Sequence, residues 1–406
     1  MLRVPLPVAA AVLVVALVAC SDDGDDTRSS DAAPSSTTTT STPSAAAPDP
    51  AEVVPGDDWV VAAPEDHDLD PALLEEAREY AFADGRNTQG VVVVRGGEIV
   101  AEWYADDADQ DSFGASWSMA KSFTSATVGI AIEEGLIPSV EEPMSTYIDG
   151  WAGTDKDPIT IRDVLQMSSG LDWTETYDGS AEQSDIVQMV TGEGDQLAFA
   201  ASQPVAHPPG ERWSYSSGDT MLLSGVVEAA TGEPLGDYAR EVLLDPIGID
   251  PIDWWTDVEG HTLGYCCVDT SSRDFARLGL LYLRDGRWGD EQVVPEEWVR
   301  ESLEPAPASQ EQYGYQWWLD DPEGVPEDHF SAQGHDQQTI DVFPSLDMVV
   351  VRNGTYVKDP GPPVADPTLF TRYPSDGYVE GAGTSPPDDW DQEAFLGPIV
   401  AAAGGS

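Results

Sequence analysis

Apolar and polar positions recur with two different periods along this chain, and the changes of period divide it. After Asp70-Pro71, the residues Leu73, Leu74, Ala77, Tyr80 and Ala81 fall on one stripe of a helix. Asp70 stands at the N-cap and Pro71 in the first turn, so a helix is expected up to Gly85. Gly90-Val91-Val92-Val93-Val94-Arg95 and Glu98-Ile99-Val100-Ala101-Glu102-Trp103-Tyr104 flank Gly96-Gly97, which predicts a β-hairpin about a Gly-Gly turn. A third pattern starts at Ser116-Trp117-Ser118-Met119-Ala120-Lys121. The residues after it, Ala126, Val128, Ile130, Ala131 and Ile132, make a helix too apolar for a surface, so it should cross the core as far as Glu133-Glu134-Gly135.

From about 139 to 264 strand signals thin out and helical ones dominate, which suggests a mainly helical region inserted into a sheet-containing domain. Within it, Thr160 to Met167 opens with a capping box and carries an apolar stripe ending at Gly170. Asp219 to Ala230 reads as another helix, with Met221, Leu222, Val226 and Val227 apolar. A further helix follows Ser271, with Phe275, Leu278, Leu281 and Tyr282 apolar. Strands return at Tyr313 to Leu319, His335 to Phe343 and Leu346 to Arg352, the last two joined at Pro344-Ser345. Two early and three late strands predict a five-stranded sheet in a mixed α/β (α+β) fold. Gln392 to Ala403 reads as a closing helix despite Gly397-Pro398, whereas the Pro-, Gly- and Asp-rich stretch 354–390 shows no period.

The first 57 residues follow other rules. Arg3, the apolar run Val8 to Val18 and the ending Leu17-Val18-Ala19-Cys20 read as an export signal over residues 1–20. Its end resembles the lipobox of bacterial lipoproteins, which would make Cys20 a lipid-modified membrane anchor. Residues 21–57 are Ser, Thr, Ala, Pro and Asp with few large apolar side chains, and are expected to be a disordered tether to a folded body of residues 58–403. The net charge of −57, from 75 acidic and 18 basic residues, argues against nucleic acid as a partner and predicts self-repulsion that salt would screen. Apart from Cys20, the cysteines are the adjacent Cys266 and Cys267, a spacing that fits no metal site. Two reduced, buried thiols are expected there, with a vicinal disulfide as the alternative in an oxidising compartment.

Chemistry concentrates at the third pattern. The chain has three lysines, Lys121, Lys156 and Lys358, and the first lies in the apolar helix with Ser118 three residues before it, on the same face. Burial disfavours an ammonium, so Lys121 could act as a neutral amine that takes the Ser118 proton, a route needing neither metal nor cofactor. A Ser-His-Asp hydrolase is the weaker reading: there is no Gly-x-Ser-x-Gly, and His67, His207, His261, His329 and His335 show no partner pattern. A zinc site of the His-Glu-x-x-His type is absent as well. Trp117, Trp173, Trp254, Trp255, Trp317 and Trp318 are candidates for cleft wall or core.

Three separated stretches, Ser118-Met119-Ala120-Lys121, Tyr215-Ser216-Ser217 and Gly334-His335-Asp336-Gln337-Gln338, stand in the order of the serine β-lactamase and penicillin-binding-protein superfamily. The chain resembles in particular its class C-like esterases and amidases, including the 6-aminohexanoate-dimer hydrolases. Ile159 to Leu171 and Ser272 to Gly279 look like further signatures of that group. The resemblance implies a five-stranded antiparallel sheet flanked by helices, a helical region, and an active site between them. It implies Ser118 as nucleophile, Lys121 as its amine partner and Tyr215 as a proton-shuttling phenol whose pKa the neighbouring ammonium would lower. The oxyanion hole would be the N–H of Ser118 and that of His335, next to Gly334. Ser217 stands where many relatives have Asn, and Tyr177 resembles a tyrosine that holds a leaving amine. The late strand lacks the family's Lys-Thr/Ser-Gly, which shifts the expectation toward a small-molecule ester or amide and away from a β-lactam or D-Ala-D-Ala peptide. A lipid-anchored protein that binds cell-wall peptides without turnover is the non-enzymatic alternative.

Overall fold

The computed structural model describes residues 53–176, 183–192, 194–250, 252–320, 322–354 and 390–405. In chain order its first elements are α1 (Pro71–Ala81), β1 (Thr88–Arg95), β2 (Glu98–Tyr104), β3 (Phe113–Ala115) and α2 (Ala120–Glu133). The helical region follows as α3 (Ile161–Leu165), α4 (Asp185–Thr191), α5 (Gln196–Ser202), α6 (Ser217–Thr231) and α7 (Leu235–Ala239). Then come β4 (Asp253–Trp254), β5 (Val268–Ser271), α8 (Ser272–Leu283), β6 (Arg287–Trp288), β7 (Glu291–Gln292) and α9 (Glu296–Ser302). The chain returns through β8 (Phe330–Gly334), β9 (Gln338–Phe343), β10 (Met348–Gly354) and α10 (Gln392–Ala402).

The main sheet is antiparallel, in the order β2-β1-β10-β9-β8. Its centre is the pairing of β1 with β10, where Val92 faces Val351 and Val93 faces Val350. Successive side chains of a strand point to opposite faces. Val91, Val93, Met348 and Val350 therefore meet Leu74 of α1 and Phe395, Leu396 and Ile399 of α10. Val92, Val94, Val349 and Val351 join the larger core with Phe275 and Leu278 of α8 and Phe123 of α2. Both faces are covered, which is why β1 reads as an unbroken valine run rather than an alternating one. Each of these fully buried valines contributes roughly 1.5–3 kcal/mol of transfer free energy. A Cβ on Gly279 of α8 would come within 2.6 Å of Val349, so this helix rests directly on the sheet.

Local chemistry explains most helix starts. Asp70 accepts from the amide of Ala72, Thr160 and Asp163 form a complete capping box, and Ser216 and Ser271 cap α6 and α8 through the amides of Asp219 and Asp274. The helix α2 is buried along its length from Ala120 to Ala131. Gly129 admits the Trp298 indole of α9, since a Cβ there would stand 2.4 Å from the ring.

The structure departs from the sequence expectations in several places. Tyr313 to Leu319 is not a strand: Gln316 takes φ +64°, and its buried side chain bonds Thr220 of α6 and the Leu165 carbonyl while its own carbonyl accepts from Ser122 of α2. The fifth strand is Phe330–Gly334 instead. Strand β9 begins at Gln338, because His335, Asp336 and Gln337 form a tight turn with Asp336 and Gln337 both at φ +61°. Helix α3 stops at Leu165, short of Gly170. A small sheet of order β3-β5-β4, with β4 inside the helical region, had no legible period. Cys266 and Cys267 are bonded to each other, not reduced thiols. Arg277 donates to the carbonyls of Gly56 and Asp57. Cys20, residues 21–52 and Tyr177 lie outside the described residues.

Candidate active site

Ser118 sits in a single 3-10 turn, Trp117–Met119, that leads into α2, not within the α-helix itself. The turn is reached through Trp117 at φ +45°, a left-handed conformation that costs an indole-bearing residue about 1–3 kcal/mol. Neighbours enforce it. The amide and hydroxyl of Ser116 bond the carbonyl and amide of Val268 on β5, both at 2.8 Å. The outcome is a half-buried serine at the N-terminal end of a buried helix, with the positive end of the helix dipole behind it.

Lys121 lies one turn on, 1% exposed, and its Nζ is 3.0 Å from Ser118 Oγ. Two further oxygens complete its surroundings: Ser217 Oγ at 3.1 Å, at the start of α6, and the Tyr265 carbonyl at 2.9 Å. Burial pulls its pKa down to about 8, against the opposing charge of Glu175. The free amine is thus far more populated near neutral pH than for an ordinary lysine, as proton abstraction requires. Ser217, where many relatives are expected to have Asn, contacts the lysine from the start of α6.

Glu175 was not singled out from the sequence. Its Oε2 accepts from the Ser217 amide at 2.7 Å and the Trp173 indole at 2.8 Å, and its Oε1 from the Ser217 hydroxyl at 2.8 Å. Its separation from Ser217 by 42 residues left no local signal beyond an acidic residue close to Trp173.

The Tyr215 phenol lies near enough to Ser118 for the serine hydroxyl to act on its ionisation, and Lys121 Nζ lies 4.9 Å from its ring centroid. Its pKa moves up, contrary to the expected fall. Burial and the Glu175 charge disfavour a phenolate, and the nearby Ser118 hydroxyl only partly offsets them. Tyr215 is therefore held as the neutral phenol over the range in which Lys121 loses its proton. Around it, Trp318 stacks at 5.6 Å, Tyr313 meets it edge-on at 6.3 Å and Trp213 lies at 6.5 Å. Of the candidate tryptophans, Trp318 reaches this wall, Trp117 lies against His335, and Trp173 and Trp317 are buried. Trp254 and Trp255 are half-buried against the core.

The end of β8 closes the site. A Cβ on Gly334 would stand 2.3 Å from the Ser116 carbonyl and 3.1 Å from Trp117, so only glycine lets the strand lie against the nucleophile turn. The His335 ring meets the Trp117 indole at 5.7 Å and its Nε2 lies 3.3 Å from Asp336. Arg352 holds the turn from below, donating to the carbonyls of Asp336 and Gln337 at 2.8 and 3.0 Å. Across β8 the residues are Phe330, Ser331, Ala332, Gln333 and Gly334, with no cationic side chain. The buried His329–Asp341 pair, 3.0 Å apart, instead ties β9 to Gln392 of α10.

A serine, a buried amine and a phenol gathered beside a sheet edge of a mixed α/β fold point to the serine hydrolases. The model of the beta-lactamase family matches residues 73–369, and the chain belongs to that family. It is 26% identical over 288 residues to the 6-aminohexanoate-dimer hydrolase of Paenarthrobacter ureafaciens, covering 65% of this chain and 72% of that protein. Two solved structures share the fold. A penicillin binding protein from Bacillus halodurans aligns with TM-score 0.56 and 17% identity, over 70% of this chain and 94% of its own. A D-stereospecific amidohydrolase from Streptomyces sp. aligns with TM-score 0.55 and 19% identity, over 70% and 94%.

Proposed function

We propose that the protein hydrolyses a small ester or amide through an acyl-enzyme on Ser118. The observation that carries this reading is the 3.0 Å approach of a buried, deprotonatable Lys121 to Ser118 Oγ, with the Tyr215 ring 4.9 Å from the same Nζ. Lys121 takes the Ser118 proton as Oγ attacks the substrate carbonyl. The tetrahedral oxyanion faces the N–H groups of Ser118 and His335, the latter held close by Gly334. On collapse the C–O or C–N bond breaks, and the leaving group receives the Lys121 proton through the Tyr215 hydroxyl. Water then repeats the cycle on the acyl-enzyme, releasing the acid and restoring Ser118. From the family resemblance alone, Tyr177 is proposed to help hold a leaving amine.

The uncharged β8 supports esters and neutral amides over substrates whose carboxylate needs a cation. The similarity to a 6-aminohexanoate-dimer hydrolase adds linear amides to the candidates. Fluorophosphonate labelling of wild type and Ser118→Ala, with turnover of nitrophenyl esters, aminohexanoate dimer, nitrocefin and a D-Ala-D-Ala peptide, tests the assignment. Labelling and ester or linear-amide turnover that vanish in Ser118→Ala are expected. Equal turnover by Ser118→Ala would refute it, and preference for nitrocefin or the peptide would move the substrate to the cell-wall class. The Leu17-Val18-Ala19-Cys20 segment supports export and lipid anchoring at Cys20. Cys20→Ser should then shift the protein from the membrane to the soluble fraction.

A further inference from the structure

The Ser217 hydroxyl has one proton and two neighbours that compete for it. Glu175 Oε1 lies 2.8 Å from it and Lys121 Nζ 3.1 Å. A carboxylate oxygen can only accept, so the Ser217 proton goes to Glu175 and the Ser217 lone pairs face the amine. The Tyr265 carbonyl, 2.9 Å from Nζ, is likewise only an acceptor. An uncharged amine has two N–H bonds and one lone pair. With both N–H bonds directed at Ser217 and Tyr265, the lone pair is left facing Ser118 Oγ at 3.0 Å.

We propose that Glu175 is a positioning residue: by fixing the direction of the Ser217 proton it aims the lone pair of Lys121 at the nucleophile. This assignment rests on the acyl-enzyme reading. The carboxylate is suited to the task because donors surround it, with Ser217 N and Trp173 Nε1 both on Oε2 and Ser217 Oγ on Oε1. The titratable groups facing the amine are Tyr215 before α6, Tyr265 before β5 and Glu175 itself, with Tyr313 one ring beyond. Asp219 of α6 is engaged by Ser169 and Ser216. Glu175 is the charged member of this set whose loss changes the field at Nζ.

Glu175→Gln separates aiming from simple packing. Its amide has one oxygen, which stays where two N–H donors converge, so its NH₂ turns to Ser217 Oγ. Ser217 then accepts from the amide, and its proton swings onto the Lys121 lone pair. We expect kcat to fall by roughly 10²-fold with KM within about threefold, because proton transfer, not binding, is damaged. The rising limb of the pH profile should move to lower pH, since the charge that raises the Lys121 pKa is gone. Adding Ser217→Ala to Glu175→Gln removes the competing proton and should restore kcat by roughly tenfold. A double variant slower than Glu175→Gln, or an unmoved pH limb, overturns the proposal. If Glu175→Gln is not recovered folded, Ser217→Ala with native Glu175 carries the test: a roughly fivefold loss of kcat at constant KM supports it and an unchanged kcat overturns it. Ser118→Ala, run beside these, distinguishes the two levels. Turnover by that variant would remove the acyl-enzyme reading itself, whereas an inactive Ser118→Ala with a fully active Glu175→Gln would remove only the role given to Glu175.

Discussion

On one side of Ser118 each polar atom of the lysine pocket has a partner: Lys121 Nζ reaches three oxygens, and Glu175 collects three donors from Ser217 and Trp173. On the other side, Trp213, Tyr215, Tyr313 and Trp318 form a cluster of rings with centroids 5.0–6.5 Å apart. The polar side is saturated and buried, so it has little latitude to change shape, and on the proposed reading it sets the reactivity of the serine. On the proposed acyl-enzyme reading, the aromatic side is the apolar wall that acyl and leaving groups would meet. Tyr215 belongs to both, and this is where the comparison is most easily tested.

The largest effects should come from the polar side. Ser118→Ala and Lys121→Met are each expected to lower kcat by about 10⁴-fold or more, and the double variant should be no worse than either, because residues acting as one unit are not additive. Additive losses, read from single-turnover kinetics, would mean that the two do not work together. Tyr215→Phe keeps the aromatic ring and removes the relay, so a loss of roughly 10²-fold in kcat with KM unchanged is expected. A raised KM instead would place this residue wholly on the recognition side. For the wild type, kcat/KM should rise with pH through about 8 and level above it, because the active form is the uncharged amine and burial lowers the Lys121 pKa to about 8. A profile flat from pH 6 to 9 would leave the lysine without that role. Trp318→Ala, removing the ring stacked on Tyr215, should raise KM about tenfold and change kcat less, consistent with the roughly 0.5–1.5 kcal/mol of an aromatic pair plus lost contact area. The smallest effect belongs to the surface: with a net charge of −57, added salt should raise the melting temperature by a few degrees at most, on the order expected for screened repulsion. A fall would show that specific ion pairs outweigh it.

What the sequence made legible was short-range. Asp70, Thr160, Ser216 and Ser271 each cap a helix within three residues of themselves, and the Gly96-Gly97 hairpin is a local event, so their elements follow the expected periods closely. Ser118 and Lys121 were legible for the same reason, since three residues of spacing put them on one face whether the first turn is 3-10 or α. Tyr215 needed the family pattern, as nothing near it in the chain points to Ser118. The misassigned strand Tyr313 to Leu319 shows the opposite case: its aromatic residues favour extended structure, but Gln316 is turned left-handed by bonds to α2, α3 and α6. Glu175 was missed because its partners come from a distant segment, and the lowered pKa expected of Tyr215 failed because burial and the Glu175 charge both disfavour the phenolate. The bond between Cys266 and Cys267 depends on the backbone reversal at Cys267, φ +71°, which residue identity alone does not reveal.

The pairing of β1 with β10 has a consequence for how the molecule is made. The earliest strand finds its central neighbour only after residues 348–354 have been synthesised, and the cover over that face waits for Phe395, Leu396 and Ile399. Until then Val91 and Val93 stay exposed, so a nascent chain carries a sticky half-sheet for most of its synthesis. Assembly of so non-local a nucleus is intrinsically slow, and the polypeptide should remain a client for chaperones until its last helix arrives.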